Sequence, residues 1–211
     1  MKVIGPFKIC GENNLFQSPH ADLYGIYIKT IKVKDKFIIS YIGETGQSFK
    51  KRIKEHLIQT MGGNYRVPDP DDLNAGKLNI LWNGLWRKGH RDRINEFIDN
   101  YELLAPKIKE YIMMLNIFLI PMDLDTRKRR LIEGYLAKYV RSQPNKISWL
   151  LADDIRYITQ KKKDEQSFTF KFISSEKILG LPEKIEVNYL FIYLFGLFFC
   201  TRKNTPQDIN Y

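Results

Sequence analysis

The apolar positions of this chain change period several times, and each change marks an element. Residues 23–31 (LYGIYIKTI) are dense in β-branched and aromatic side chains and read as a strand. After a charged stretch at 32–36, residues 37–43 (FIISYIG) read as a second strand, close enough to the first for an antiparallel hairpin. Glu44-Thr45-Gly46-Gln47 makes a turn, and Ser48 suits the N-cap of a helix over 49–61. Phe49, Ile53, Leu57 and Met61 share one face of that helix, and Gly62-Gly63 ends it.

Residues 62–92 bring prolines, glycines, aspartates and the pair Trp82 and Trp86. Tryptophans at this density pack on something, so the segment reads as an ordered insertion. A helical stretch over 94–114 is expected to break at Pro106, and 116–122 (NIFLIPM) reads as a third, buried strand. Residues 126–141 form a strongly periodic helix with Leu131, Ile132, Tyr135, Leu136, Tyr139 and Val140 on one face. Past Pro144 the pattern weakens to a short basic helix at 155–163 and an edge-type alternation at 168–173. Residues 189–200 (YLFIYLFGLFFC) are apolar or aromatic apart from Gly196. A bilayer span needs about 20 apolar residues, so this stretch reads as a buried element or an oligomer contact, and no membrane is expected.

The same periods predict which side chains share a face. On the first strand Gly25, Tyr27 and Lys29 point one way, with Ile26 and Ile28 the other. On the second, strict alternation groups Tyr41 with Phe37, Ile39 and Gly43. Gly25 and Gly43 then leave room for a close ligand. On the helix that follows, Arg52 and His56 lie one turn apart, His56 beside the apolar stripe and Arg52 nearer the open edge. A phenol, a guanidinium and an imidazole are thereby offered to one spot.

Composition adds charge to this picture. Lys and Arg total 34 against 24 Asp and Glu, a formal net charge of +10, which attracts polyanions. An ordinary basic soluble protein accounts for the charge equally well. Lys50, Lys51 and Lys54 share the helix of Arg52, where phosphate contact and a solvated charged face are level readings. The run Arg87, Lys88, Arg91 and Arg93, beside the tryptophans, points to DNA contact. Cys10 and Cys200 are the two cysteines, too few and too far apart for a disulfide framework or a cysteine-based zinc site. With no apolar signal core at the N-terminus, the reducing cytoplasm is the expected compartment. A Gly-rich phosphate loop is missing, which argues against a nucleotide-cofactor enzyme.

Two tripeptides, Gly25-Ile26-Tyr27 and Tyr41-Ile42-Gly43, end neighbouring strands, and Arg52 and His56 follow at matching helical offsets in YIGETGQSFKKRIKEH. This arrangement resembles the GIY-YIG nuclease superfamily over residues 24–61 and again around Glu133. The resemblance implies an α/β (α+β) fold with a small three-stranded mixed or antiparallel sheet flanked by helices. It divides the chain into a lead-in at 1–22, a catalytic domain at 23–145 with the insertion at 62–92, and a C-terminal extension at 146–211. It implies a metal-dependent DNA endonuclease that hydrolyses phosphodiester bonds by in-line attack of water. The implied catalytic set is Tyr27, Tyr41, Arg52, His56, Glu133 and Asn145.

In that set Glu133, in TRKRRLIEGYLAKYV, holds one Mg²⁺ or Mn²⁺, ahead of Glu96, Glu102 and Glu110. Arg52 pairs with the scissile phosphate. Tyr27 is the implied general base, with Tyr41 and His56 orienting the water. A free tyrosine titrates near 10, so His56 takes that role if Arg52 and the metal do not favour the phenolate. Asn145, just past Pro144, is equally read as a turn residue. Size and the lack of a zinc finger or helix-turn-helix tail point to a restriction-type enzyme acting as a homodimer on both strands. The alternatives are an inactive nucleic-acid-binding module and a repair or mobile-element nuclease.

Overall fold

The computed structural model describes residues 1–151, 157, 158, 160, 162 and 165–187, without the side chains of Asn145 and Lys146. The segment 189–200 and most of 155–163 lie outside the described residues. The chain opens with β1 (Lys2–Phe7) and two short 3-10 turns, then β2 (Gly25–Val33), β3 (Lys36–Thr45) and α1 (Phe49–Met61). The insertion holds β4 (Val67–Pro68), α2 (Pro70–Asn74) and β5 (Ile80–Trp82). There follow α3 (Ile94–Asp99), α4 (Tyr101–Met114), β6 (Leu115–Pro121), α5 (Thr126–Arg141) and α6 (Asn145–Ser148). The last strands are β7 (Phe168–Lys171), β8 (Ile173–Ser174), β9 (Ile178–Leu179) and β10 (Lys184–Val187).

The expected hairpin, β2 with β3, is the centre of the sheet, and β6 pairs antiparallel with the other side of β2. The fold is α+β, but the expected three-stranded sheet is too small. The main sheet has six strands in the order β8-β1-β6-β2-β3-β9 and is mixed, because β8 and β9 join their neighbours in parallel. The added strands come from the first seven residues and from 173–179, where the apolar pattern is short. What recruits them is the main chain: an open sheet edge leaves N–H and C=O groups without partners.

The helices cover both faces. Phe49 and Ile53 of α1 and Leu104, Ile108 and Ile112 of α4 pack with Tyr27, Ile31, Ile38 and Leu119 on one side. Ile132, Leu136, Ala137 and Val140 of α5 pack with Ile26, Ile28, Phe37, Ile39 and Ile42 on the other. Ser48 caps α1 by accepting a hydrogen bond from the Lys51 N–H at 3.3 Å. The helical stretch over 94–114 breaks at Asn100, six residues before the expected break, and Pro106 sits inside α4. Among the described residues no helix is long and apolar enough to cross a membrane.

Strict alternation along β3 fails at one point, and that point shapes the site. Lys29 faces Tyr41 in register, but Thr30 faces Ile39, so β3 carries one extra residue at Ser40. Such a bulge re-aims every side chain beyond it. Phe37 and Ile39 therefore lie on the α5 face, while Tyr41 comes out on the α1 face with Tyr27. The Ser40 hydroxyl donates to the Lys29 carbonyl at 3.1 Å, holding the bulge in place.

Candidate active site

Tyr27, Tyr41, Arg52 and His56 meet between the β2-β3 hairpin and α1. Tyr27 is fully buried, and its hydroxyl lies 2.8 Å from His56 Nε2 in a buried hydrogen bond. The Tyr41 ring stacks beside Tyr27 with centroids 5.9 Å apart and planes inclined at 26°. His56 stands edge-on to Tyr41 at 5.4 Å and tilted against Tyr65 at 5.3 Å.

The two glycines of the tripeptides serve this packing, and no ligand space is left at either. Gly43 is opposite Tyr27 in register, and a Cβ there would fall 2.4 Å from the Tyr27 ring and hydroxyl. Gly25, at φ +145°, would put a Cβ 2.3 Å from the Ile120 carbonyl oxygen. The room expected for a ligand is filled by the protein's own phenol and main chain.

Electrostatics divide the cluster. Burial pushes Tyr27 well above the usual tyrosine range, and the Tyr41 hydroxyl pushes it further, against a smaller pull from Arg52. Tyr41 is also raised, chiefly by burial. His56 is pushed down to about 2 by burial, then by the charges of Lys29 and Arg52, so its imidazole is neutral. Arg52 Nη1 donates to Glu55 Oε2 at 3.3 Å, and the same carboxylate oxygen accepts from Gln47 at 2.8 Å. The buried Nε of Arg52 has no hydrogen-bond partner among the described residues.

Glu133 reaches the site from the other side of the sheet. Beyond Ile38 no outer strand pairs with β3 among the described residues, and its edge groups turn to side chains. The Glu44 N–H donates to Glu133 Oε1 at 2.9 Å, and the Tyr157 hydroxyl donates to the Ile42 carbonyl at 3.1 Å. Burial, with the neighbouring Glu44 carboxylate, pushes Glu133 up to about 7, against the pull of its Glu44 N–H bond.

Glu44 itself is committed to Arg129 at 3.2 Å and Arg130 at 3.1 Å, as Glu55 is to Arg52. Glu133 has no Lys or Arg within ion-pair distance among the described residues. It is therefore the one of these three carboxylates without an ion-pair partner among the described residues. No group of three or more His, Cys, Asp or Glu that could hold a metal occurs among the described residues. An ion on Glu133 would take its remaining ligands from water and phosphate, as suits Mg²⁺.

A cleft of about 310 Å³ opens above Tyr41, Arg52 and His56. Neither Tyr27 nor Glu133 lines it: Tyr27 lies behind His56, and Glu133 sits beyond Tyr41 at the strand edge. Asn145 begins α6, and its side chain is outside the described residues. Lys50, Lys51 and Lys54 are exposed on α1, while Arg87, Lys88 and Arg91 are exposed on the insertion and its exit. Arg87 lines the cleft. Arg93 is taken up instead by Glu96 and by the face of Trp82, 5.4 Å from the ring centre.

Several residues of the site were not singled out by sequence patterns. Lys29 lies in the cleft, 9% exposed, with its ammonium 5.0 Å above the Tyr41 ring. Its alternation phase with Tyr27 was the available signal. Arg129, 4% exposed, anchors Glu44 and packs against Gly46, and no local pattern marks it off from its basic neighbours. Tyr65 and Trp86 wall the cleft from within the insertion, where no regular period exists to place them. The chain matches no protein-family model, no curated protein and no solved structure.

Proposed function

We propose that this chain is a metal-dependent DNA endonuclease of the GIY-YIG kind, acting as a restriction-type enzyme. The observation that carries the reading is the convergence of Tyr27, Tyr41, Arg52 and His56 beneath one cleft that no carboxylate among the described residues lines. The cleft is built to receive an anion.

Arg52 binds the scissile phosphate, because its guanidinium lines the cleft. Glu133 would hold one Mg²⁺ or Mn²⁺, which when bound supplies positive charge to the phosphate oxygens and the leaving 3′ oxygen. His56 takes the proton of the attacking water, because it lines the cleft while Tyr27 is buried and held far from its phenolate. Tyr27 fixes the imidazole through Nε2, and in the tautomer in which Nε2–H donates to the Tyr27 hydroxyl oxygen the other ring nitrogen is the acceptor. Burial is the main cause of the low basicity of His56, and a phosphate on Lys29 and Arg52 offsets the two charges that add to it, which moves the imidazole towards a base. Tyr41 packs against both, stacked on Tyr27 and edge-on to His56, and so holds the pair in place. A homodimer would bring two such sites to the two strands of a duplex.

Supercoiled plasmid incubated with the protein and Mg²⁺, with an EDTA control, tests the reading. Metal-dependent nicking or linearisation is expected, lost in Arg52→Ala and Glu133→Ala although both still fold and bind DNA. Full activity in either variant overturns the site. DNA binding without any cleavage supports the rival reading, an inactive nucleic-acid-binding module.

A further inference from the structure

The cleft extends away from the catalytic cluster towards the insertion, and its chemistry there differs. Tyr65 continues the aromatic wall begun by His56, and Trp86 meets Tyr65 edge-to-face, with centroids 5.4 Å apart and planes at 89°. Trp86 is 53% exposed, an unusual position for the largest apolar side chain unless something covers it. Four cations line the same cleft: Lys29, Arg52, Arg66 and Arg87. Among the described residues no Asp or Glu lines the cavity.

Lys29 is the unexplained group. The residue is 9% exposed and lines the cleft, and its ammonium lies against the Tyr41 ring face with neither a carboxylate nor a hydrogen-bond acceptor among the described residues. Burying an unpaired ammonium costs stability unless an anion arrives to meet it. Burial, then Arg52, lowers Lys29 to about 7, in keeping with a cation that lacks its partner.

We infer that this cleft is a nucleotide pocket, holding one nucleotide next to the scissile phosphate with its base against Tyr65 and Trp86 and its phosphate on Lys29 and Arg52. The inference rests on the nuclease reading and specifies how the substrate is held. A volume of about 310 Å³ suits a single nucleotide. Bases stacked in a duplex present their edges, so a base that meets these ring faces has left the stack. The edge-to-face pair lets a base lie flat on one ring and touch the edge of the other. The pocket thus selects DNA that is unpaired, or easily unpaired, at the cut.

Isothermal titration in EDTA tests this without cleavage. The probes are the four 2′-deoxynucleoside 3′,5′-bisphosphates and the abasic deoxyribose 3′,5′-bisphosphate. At least one base-bearing probe is expected to bind about tenfold or more tightly than the abasic one. Trp86→Ala and Tyr65→Leu should erase that difference, while Lys29→Met weakens base-bearing and abasic probes alike. Trp86 is exposed, so its removal leaves the core intact, which far-UV circular dichroism checks. Equal binding of abasic and base-bearing probes, no binding at all, or an unchanged preference in Trp86→Ala overturns the inference. The plasmid assay on the same preparations separates the two readings. Cleavage without base preference sinks the pocket alone, and base preference without cleavage sinks the nuclease reading alone.

Discussion

The phenol of Tyr27 and the imidazole of His56 are joined at 2.8 Å inside the protein, one from a central strand and the other from the helix packed on it. The pair couples a group that burial holds in its neutral phenol form to one that burial holds in its neutral imidazole form. Neither titrates alone near neutral pH, so any change at the cleft that charges one is felt by the other. The cleft-facing member is His56, which lines the cleft where Tyr27 does not.

His56→Ala should therefore lower the cleavage rate by about 10²-fold or more. Tyr27→Phe should lower it by less, roughly tenfold, since it removes a positioning bond and leaves the acceptor. Single-turnover rates at saturating DNA give the comparison. The reverse order, with Tyr27→Phe the more damaging, would move the proton to Tyr27.

Gly43→Ala tests the packing of the site without touching a reactive group. Its Cβ would lie 2.4 Å from the Tyr27 hydroxyl, so the phenol must shift away from His56. Overpacking of this kind costs about 1–3 kcal/mol, read as a lower urea midpoint with an unchanged m-value. Cleavage should fall at least as far as in Tyr27→Phe. A variant with native stability and native rate would show that the tight fit is unimportant.

The pH dependence of stability follows from His56. Its folded value of about 2 lies below the usual 6.5, so the unfolded chain binds the extra proton between those values. Stability is then lost as pH falls through that window, at up to about 1.4 kcal/mol per pH unit from this residue. Glu133, raised to about 7, works in the opposite direction between 4.5 and 7 and masks part of the slope in the native protein. Lys29, lowered to about 7 from 10.5, adds a gain in stability on the alkaline side. Thermal midpoints of native protein and His56→Gln, compared from pH 7 to 4, isolate the histidine. The variant should lose less stability on acidification, and parallel curves would contradict the assignment.

How far the sequence carries can be judged residue by residue. Periodicity sufficed for β2, β3, α1, β6 and α5, because each buries one face and local spacing then dictates both element and orientation. Arg52 and His56, a turn apart on one helix, were legible for the same reason. Tyr27 and Tyr41 were legible as neighbours on paired strands. The grouping of Tyr41 with Phe37 and Ile39 was not, because the bulge at Ser40 is a pairing event between two strands and leaves no mark in either alone.

Tertiary structure decided the rest. The sheet grew from three strands to six because distant short segments satisfy its edges, a demand of main-chain hydrogen bonding to which side-chain patterns are blind. Glu133 was named from its helix, but its place opposite Glu44 depends on the edge of β3, which no outer strand among the described residues covers there. Lys29 became a buried unpaired cation, and Tyr65 and Trp86 a wall beside it, only when the insertion folded over the hairpin. The sequence by itself determined which reactive groups share a strand or a helix face, since backbone period sets that locally. What each group is buried against, and so which of Tyr27 and His56 faces the cleft, depends on contacts far apart in the chain.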